Sequence, residues 1–83
     1  MAYIEDFKKA ISSDIDFKLT ILGRNSLILE GYKSILYYSK NEIHIKVHKA
    51  ILKLKGSEFY IKEIMPDTLI LVGILQNYEV EYL

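Results

Sequence analysis

The sequence predicts an all-β domain: a short N-terminal helix followed by about eight short, mostly antiparallel strands in a small β-sandwich. Three observations carry this. From Asp16 onward the apolar period is two rather than three to four. Turn residues recur at short intervals. The gaps between apolar runs are two to four residues long, whereas a parallel crossover needs roughly a dozen.

The elements follow in order. Tyr3, Ile4, Phe7, Ala10 and Ile11 share one face at helical spacing. Glu5 and Asp6 near the start and Lys8 and Lys9 near the end suit the helix dipole. Ser12, Ser13 and Asp14 compete with the helical backbone, so a helix is expected over residues 2–12. Its plain role is a lid on one sheet face; an amphipathic membrane anchor is the alternative.

The clearest strand is 42–48. Ile43, Ile45 and Val47 alternate with Glu42, His44, Lys46 and His48, the mark of a half-buried strand. Residues 77–82 alternate likewise, with Tyr78, Val80 and Tyr82 opposite Glu79 and Glu81. In 49–55, Ala50, Leu52 and Leu54 face away from Lys49, Lys53 and Lys55. Further strands are expected at 17–22, 26–30, 33–39, 58–64 and 68–74. The turns between them are Gly23-Arg24-Asn25, Glu30-Gly31, Ser39-Lys40-Asn41, Gly56-Ser57 and Pro66-Asp67. Such short gaps predict hairpins and meanders.

A Leu-x-Leu-x-Gly pattern occurs three times, at 27–31, 52–56 and 69–73. It reads as three strand-to-strand turns. A solenoid or roll is the alternative, although a solenoid wants a constant period. The chain is expected to form one domain over residues 1–83, with a helical lead at 1–13 and a β region at 16–82.

Composition narrows the function. With 51% hydrophobic residues, the chain can build a core. Eleven basic and eleven acidic side chains cancel, so nucleic acid is not an expected partner. The absence of cysteine removes disulfides and thiolate chemistry. The start of the sequence does not read as a secretory signal, and no apolar run approaches the roughly 20 residues of a spanning helix. A soluble chain is expected.

No reaction centre is expected either. His44 and His48 share a strand face about 13 Å apart, too far for one metal ion. Glu79 and Glu81 lie together, but Glu58, Glu63 and Asp67 are scattered; a catalytic pair would have to converge in a pocket. Ser26, Ser34 and Ser57 have no nucleophile-elbow context. Gly23-Arg24-Asn25-Ser26 has one glycine and precedes a strand, unlike a phosphate loop. The expectation is a non-enzymatic protein without cofactor, metal or small-molecule substrate. The basic group Lys46, His48, Lys49, Lys53 and Lys55 reads first as solubilising charge, and second as a dock for an acidic partner or lipid headgroups.

The apolar runs say more. Leu27-Ile28-Leu29, Ile35-Leu36-Tyr37-Tyr38 and Leu69-Ile70-Leu71-Val72 are apolar on both faces. A sheet with one wet face does not need this. Either a second layer covers them, or part is an interface. Tyrosine combines contact area with a polar tip. Ile35, Tyr37, Tyr38, Tyr60 and Ile70 are therefore the expected interface residues, for a protein partner or a homo-oligomer.

The order of these segments resembles the YabP/YqfC family of sporulation proteins. The resemblance runs through Leu19-Thr20-Ile21-Leu22-Gly23, Leu27-x-Leu29-Glu30 and Tyr32-Lys33-Ser34-Ile35-Leu36. It continues through Ser39-x-x-Glu42, Leu52-x-Leu54-x-Gly56, Phe59-x-Ile61-x-x-Ile64, Pro66-Asp67 and Gly73-x-Leu75. Ile64-Met65-Pro66-Asp67 is closer to the YqfC side. Ala50 departs from the pattern, which usually has glycine there; alanine suits the position if the requirement is small size rather than positive φ. The resemblance implies a protein of the mother cell of an endospore-forming bacterium, needed for spore maturation, including cortex or later assembly. It also implies an integral membrane sporulation protein as partner, and a place in the mother-cell cytoplasm or peripherally at the outer forespore membrane. Self-assembly into rings or filaments is the alternative role; a small ligand-binding domain is a more distant one.

Overall fold

The computed structural model describes residues 17–83. The helix expected over residues 2–12 lies outside the described residues. The remainder is all-β, with six strands: β1 (Lys18–Leu22), β2 (Ser26–Glu30), β3 (Ser34–Tyr38), β4 (Glu42–Val47), β5 (Ala50–Ile64) and β6 (Thr68–Tyr82). They form one sheet in the order β1-β2-β6-β5-β4-β3, and every pairing is antiparallel.

Six strands replace the expected eight because two pairs of segments fuse. The segments 49–55 and 58–64 run together as β5, and 68–74 and 77–82 run together as β6. Gly56-Ser57 is therefore not a turn. It lies where the β5–β6 register shifts, between Lys55 and Gly56 and again between Ser57 and Tyr60. Such bulges bend a strand without ending it. They also explain why buried positions in β5 change parity, from Ala50, Leu52 and Leu54 before the bulges to Phe59 after them.

The two long strands divide the sheet into halves. Along β6, β2 pairs with residues 68–72, and along β5, β4 pairs with residues 50–55. One half contains β1, β2, the first part of β6 and the last part of β5. The other contains the last part of β6, the first part of β5, β4 and β3. Both halves contribute to one core: Leu27, Leu29, Leu69 and Leu71 from the first, and Ile43, Ile45, Val47, Ala50, Leu52 and Leu54 from the second, joined by Phe59. Architecturally this is a single bent sheet, not the expected pair of separate sheets. The antiparallel order, with β6 inserted between β2 and β5, also excludes the solenoid alternative.

The expectation of hairpins throughout fails at one link. β2 and β3 are separated only by residues 31–33, yet they do not pair. The chain crosses there from one half to the other. Gly31 N donates to Asp67 O at 2.7 Å, Lys33 N donates to Lys46 O at 2.7 Å, and the Tyr32 hydroxyl donates to Met65 O at 2.8 Å. The crossing residues thus reach both the β5–β6 turn and β4.

The three Leu-x-Leu-x-Gly segments acquire a single meaning. Their six leucines are all buried, at 0–1% exposure. Only the first ends a strand; Gly56 and Gly73 lie inside β5 and β6. Each glycine stands where the chain passes between halves. Close approach explains two of them. A Cβ on Gly56 would lie 1.9 Å from Ile74 O, and one on Gly73 would lie 2.4 Å from Phe59 Cδ1. Gly73 also has φ +146°, which side chains rarely adopt. Ala50 is likewise resolved: it is 1% exposed, and the positive φ of that turn falls on Lys49 (φ 60°). Small size is what the position needs.

Candidate functional site: an uncharged edge strand

The two halves differ in what they turn outward. In the second half, side chains line up in rows across the strands. Facing inward are the row Ile35–Ile45–Leu52–Val80 and the row Tyr38–Ile43–Leu54–Tyr78. Facing outward are Tyr37–His44–Lys53–Glu79 and Ser34–Lys46–Ile51–Glu81. This is the apolar-in, polar-out pattern of a sheet with one wet face.

Charges on that wet face compensate one another. Lys53 Nζ meets Glu81 Oε1 at 3.0 Å, and Lys55 Nζ meets Glu79 Oε2 at 4.0 Å. The hydrogen bond to Glu81 holds the Lys53 ammonium above its ordinary pKa. His44 Nε2 donates to Glu42 Oε2 at 2.5 Å, and this bond holds the Glu42 carboxyl below the ordinary carboxylate range. The His44 ring also lies against Tyr37, with centroids 5.2 Å apart. Two of the five residues of the expected basic group, Lys53 and Lys55, are therefore matched by the acidic end of β6. His48 falls in the turn after β4 rather than in the strand with His44.

The outer face of the first half has an apolar centre, bordered by polar residues such as Thr20, Ser26 and Glu63. Ile28 lies between Thr20 of β1 and Ile70 of β6, and Val72 lies between Ser26 of β2 and Tyr60 of β5. Ile28, Ile70 and Val72 are half-buried, while Leu22 and Tyr60 are exposed. No described strand packs over them.

Strand β3 closes the other side of the sheet and, among the described residues, pairs only with β4. Ser34-Ile35-Leu36-Tyr37-Tyr38 carries no charge. Leu36, Tyr37 and Tyr38 are 53%, 51% and 46% exposed. Edge strands are usually guarded by charge, because their free backbone groups can accept another strand. Here the charges stand only at the flanks, in Lys33 and Lys40, both exposed and neither in an ion pair among the described residues. A bulge between Ile35 and Tyr37 turns Leu36 out of register. The strand is anchored at its end: the Tyr38 hydroxyl reaches Phe59 O at 3.5 Å, and Lys40 O accepts from Phe59 N at 2.8 Å.

The five expected interface residues thus fall into two places. Ile35, Tyr37 and Tyr38 lie on the β3 edge, whereas Tyr60 and Ile70 lie on the outer face of the first half. The structure adds Leu36 to the first group and Ile28 and Val72 to the second. The signal for these was present in the apolar runs, but period-two alternation alone does not say which side of a doubly apolar strand is covered.

The arrangement presents strand-pairing and apolar surfaces, and comparison with known proteins places it. The sequence profile of the YabP family matches residues 14–82. The chain belongs to the YabP family. It is also similar to a Bacillus subtilis (strain 168) protein named as the uncharacterized protein YqfC, with 28% identity over 58 residues. That match covers 70% of this chain and 62% of the relative, so it leaves over a third of the relative's length unmatched. The YabP match begins just before β1 and includes every strand of the sheet.

Proposed function

We propose that this YabP family member is a non-enzymatic assembly module of the sporulation programme, and that it recruits a protein partner through the edge of β3. One observation carries the interaction: an uncharged edge strand with three apolar side chains about half exposed. An incoming extended segment would gain main-chain hydrogen bonds along that edge, with side-chain contacts supplying selectivity. The sporulation role rests on the family resemblance. It favours an integral membrane protein as partner, bringing the chain from the mother-cell cytoplasm to the outer forespore membrane. The apolar outer face around Ile28, Ile70 and Tyr60 offers a second contact.

The test is genetic and biochemical together. Deleting the gene is expected to reduce heat-resistant spores while leaving vegetative growth unchanged. Restoring it with Leu36→Lys is expected to leave the defect, and the same variant is expected to lose partners that co-purify with the wild-type chain from sporulating cells. Normal spore counts in the deletion strain would reject the sporulation role. Full rescue by Leu36→Lys would reject β3 as the edge that matters.

A further inference from the structure

The half of the sheet that ends in β3 has a second free edge. β6 pairs with β2 only as far as Val72, so residues 74–82 are paired on one side only, by β5, among the described residues. This stretch also exposes apolar surface: Ile74, Tyr78 and Tyr82 are 41%, 57% and 78% exposed. Its only charges are Glu79 and Glu81. Residues 33–40, by contrast, carry only Lys33 and Lys40. One edge thus carries only lysines, at its flanks, and the other only glutamates, which already meet Lys53 and Lys55 of β5; both edges present tyrosines.

We propose that these edges are complementary, and that β3 of one copy pairs with residues 74–82 of β6 in the next copy. The inference rests on the reading of β3 as an interaction edge and adds a second copy of this chain as an occupant; in an open array the proposed membrane partner takes the β3 left free at one end.

Strand direction supports the arrangement. In the order β6-β5-β4-β3 neighbours alternate in direction, so β3 and β6 run oppositely. A copy placed in line beyond β3 then presents its β6 antiparallel to β3, with inner faces on the same side. Continuing the rows straight across sets Tyr38 beside Tyr78 and Ile35 beside Val80 of the next copy. Both contacts are cross-strand pairs of the aromatic or branched kind that stabilise sheets. On the outer side, Tyr37 falls beside Glu79 and Ser34 beside Glu81.

Pairing of β3 with β3 fits less well. A two-fold arrangement that keeps inner faces together sets Ile35 opposite Tyr38, but it also sets Lys33 opposite Lys40 twice. Like charges directly opposite destabilise a strand pair. The head-to-tail arrangement avoids this clash: in the same register Lys33 falls near Tyr82 and Lys40 near Gln76 of the next copy. Because its two surfaces differ, it does not stop at two copies; it continues into a ring or a filament.

Sedimentation of the purified full chain over a concentration series tests this, with two variants that each block one edge. Leu36→Lys blocks β3 and leaves β6 intact; Tyr78→Lys blocks β6 and leaves β3 intact. The wild type is expected to grow past dimers with concentration, and each variant alone to remain monomeric, its self-association weakened at least about tenfold. An equimolar mixture of the two variants is expected to form a 1:1 dimer and nothing larger, because one good edge of each kind remains. Should one variant lose its β circular dichroism, Lys33→Glu with Lys40→Glu replaces the first or Gln76→Lys the second, all at exposed positions; the two replacements are not mixed with each other, because Glu at 40 would then attract Lys at 76.

A wild type that stays monomeric at high concentration overturns the inference. So does a Tyr78→Lys variant that self-associates normally, which would indicate β3–β3 pairing. A monomeric wild type together with a Leu36→Lys spore defect would remove self-assembly while leaving the proposed function standing. Normal spore counts on deletion would remove the sporulation role without touching the sedimentation result.

Discussion

Phe59 lies across Gly73: a Cβ on that glycine would stand 2.4 Å from Phe59 Cδ1 and 2.9 Å from Phe59 Cα. The ring reaches Gly56 as well, where an added Cβ would lie 2.9 Å from Phe59 Cζ. One aromatic side chain thus covers the two glycines that stand inside the long strands, at the place where the halves of the sheet meet. Covering a bare stretch of backbone with a ring is a recognised way to fix a bend and its register.

Gly73→Ala is expected to be severely destabilising. The methyl group would overlap Phe59, and φ +146° would be strained in addition. Together these effects amount to about 2–4 kcal/mol, a large share of the margin of so small a domain. Urea unfolding followed by circular dichroism would show it; a midpoint unchanged from wild type would mean that the bend does not depend on this contact.

Phe59→Ala removes the covering ring from a position only 2% exposed. A loss of about 3–5 kcal/mol is expected. It should exceed the effect of truncating Tyr60, the neighbouring residue, which is 50% exposed. Equal effects at the two positions would contradict the assignment of inner and outer faces.

Glu58 has φ 56°, inside the β5 bulge. A left-handed residue of this kind carries roughly 1–2 kcal/mol of strain, which glycine does not. Glu58→Gly is therefore expected to leave stability unchanged or raise it by up to about 1 kcal/mol, although glycine within a strand ordinarily weakens it. Thermal unfolding decides the sign.

The outer face predicts opposite pH limits. The hydrogen bond from His44 lowers the Glu42 pKa from its usual 4.5. Its contribution is thus present above the ordinary Glu range and is lost as pH falls through the depressed value. The bond to Glu81 raises the Lys53 pKa from 10.5, so its contribution is present below 10.5 and is lost as pH rises through the elevated value. Glu42→Gln is expected to soften the acid-side loss of stability, and Lys53→Met the alkaline-side loss. Added salt should shrink both effects, because the groups are near solvent. Identical acid limbs for wild type and Glu42→Gln would refute the first.

The edge-blocking pair, Leu36→Lys and Tyr78→Lys, forms the remaining prediction: monomers apart, a dimer together. The mixing step matters most, since a general loss of solubility or folding would not be repaired by combining two defective chains.

Much of this was legible in the sequence because alternation is a local property. Ile43, Ile45 and Val47 against Glu42, His44 and Lys46 fixed a strand and its buried side before any partner was known, and each lies where the alternation put it. The buried pair Leu52 and Leu54 was visible in the same way, as was the doubly apolar character of residues 27–29, 35–38 and 69–72, though not which of their sides is covered. What the sequence could not decide was which segments join. Gly56-Ser57 reads as a turn by composition, yet β6 pairs with β5 on both sides of it, so the strand continues through bulges. Residues 31–33 read as a hairpin by length, yet hydrogen bonds to Asp67 and Lys46 carry them across the molecule. Side-chain period is set by neighbours one or two residues away, so it survives in the sequence. Strand order and edge identity are set by contacts dozens of residues apart, and only the folded sheet shows that residues 34–38 and 74–82 lie at opposite rims of the same half.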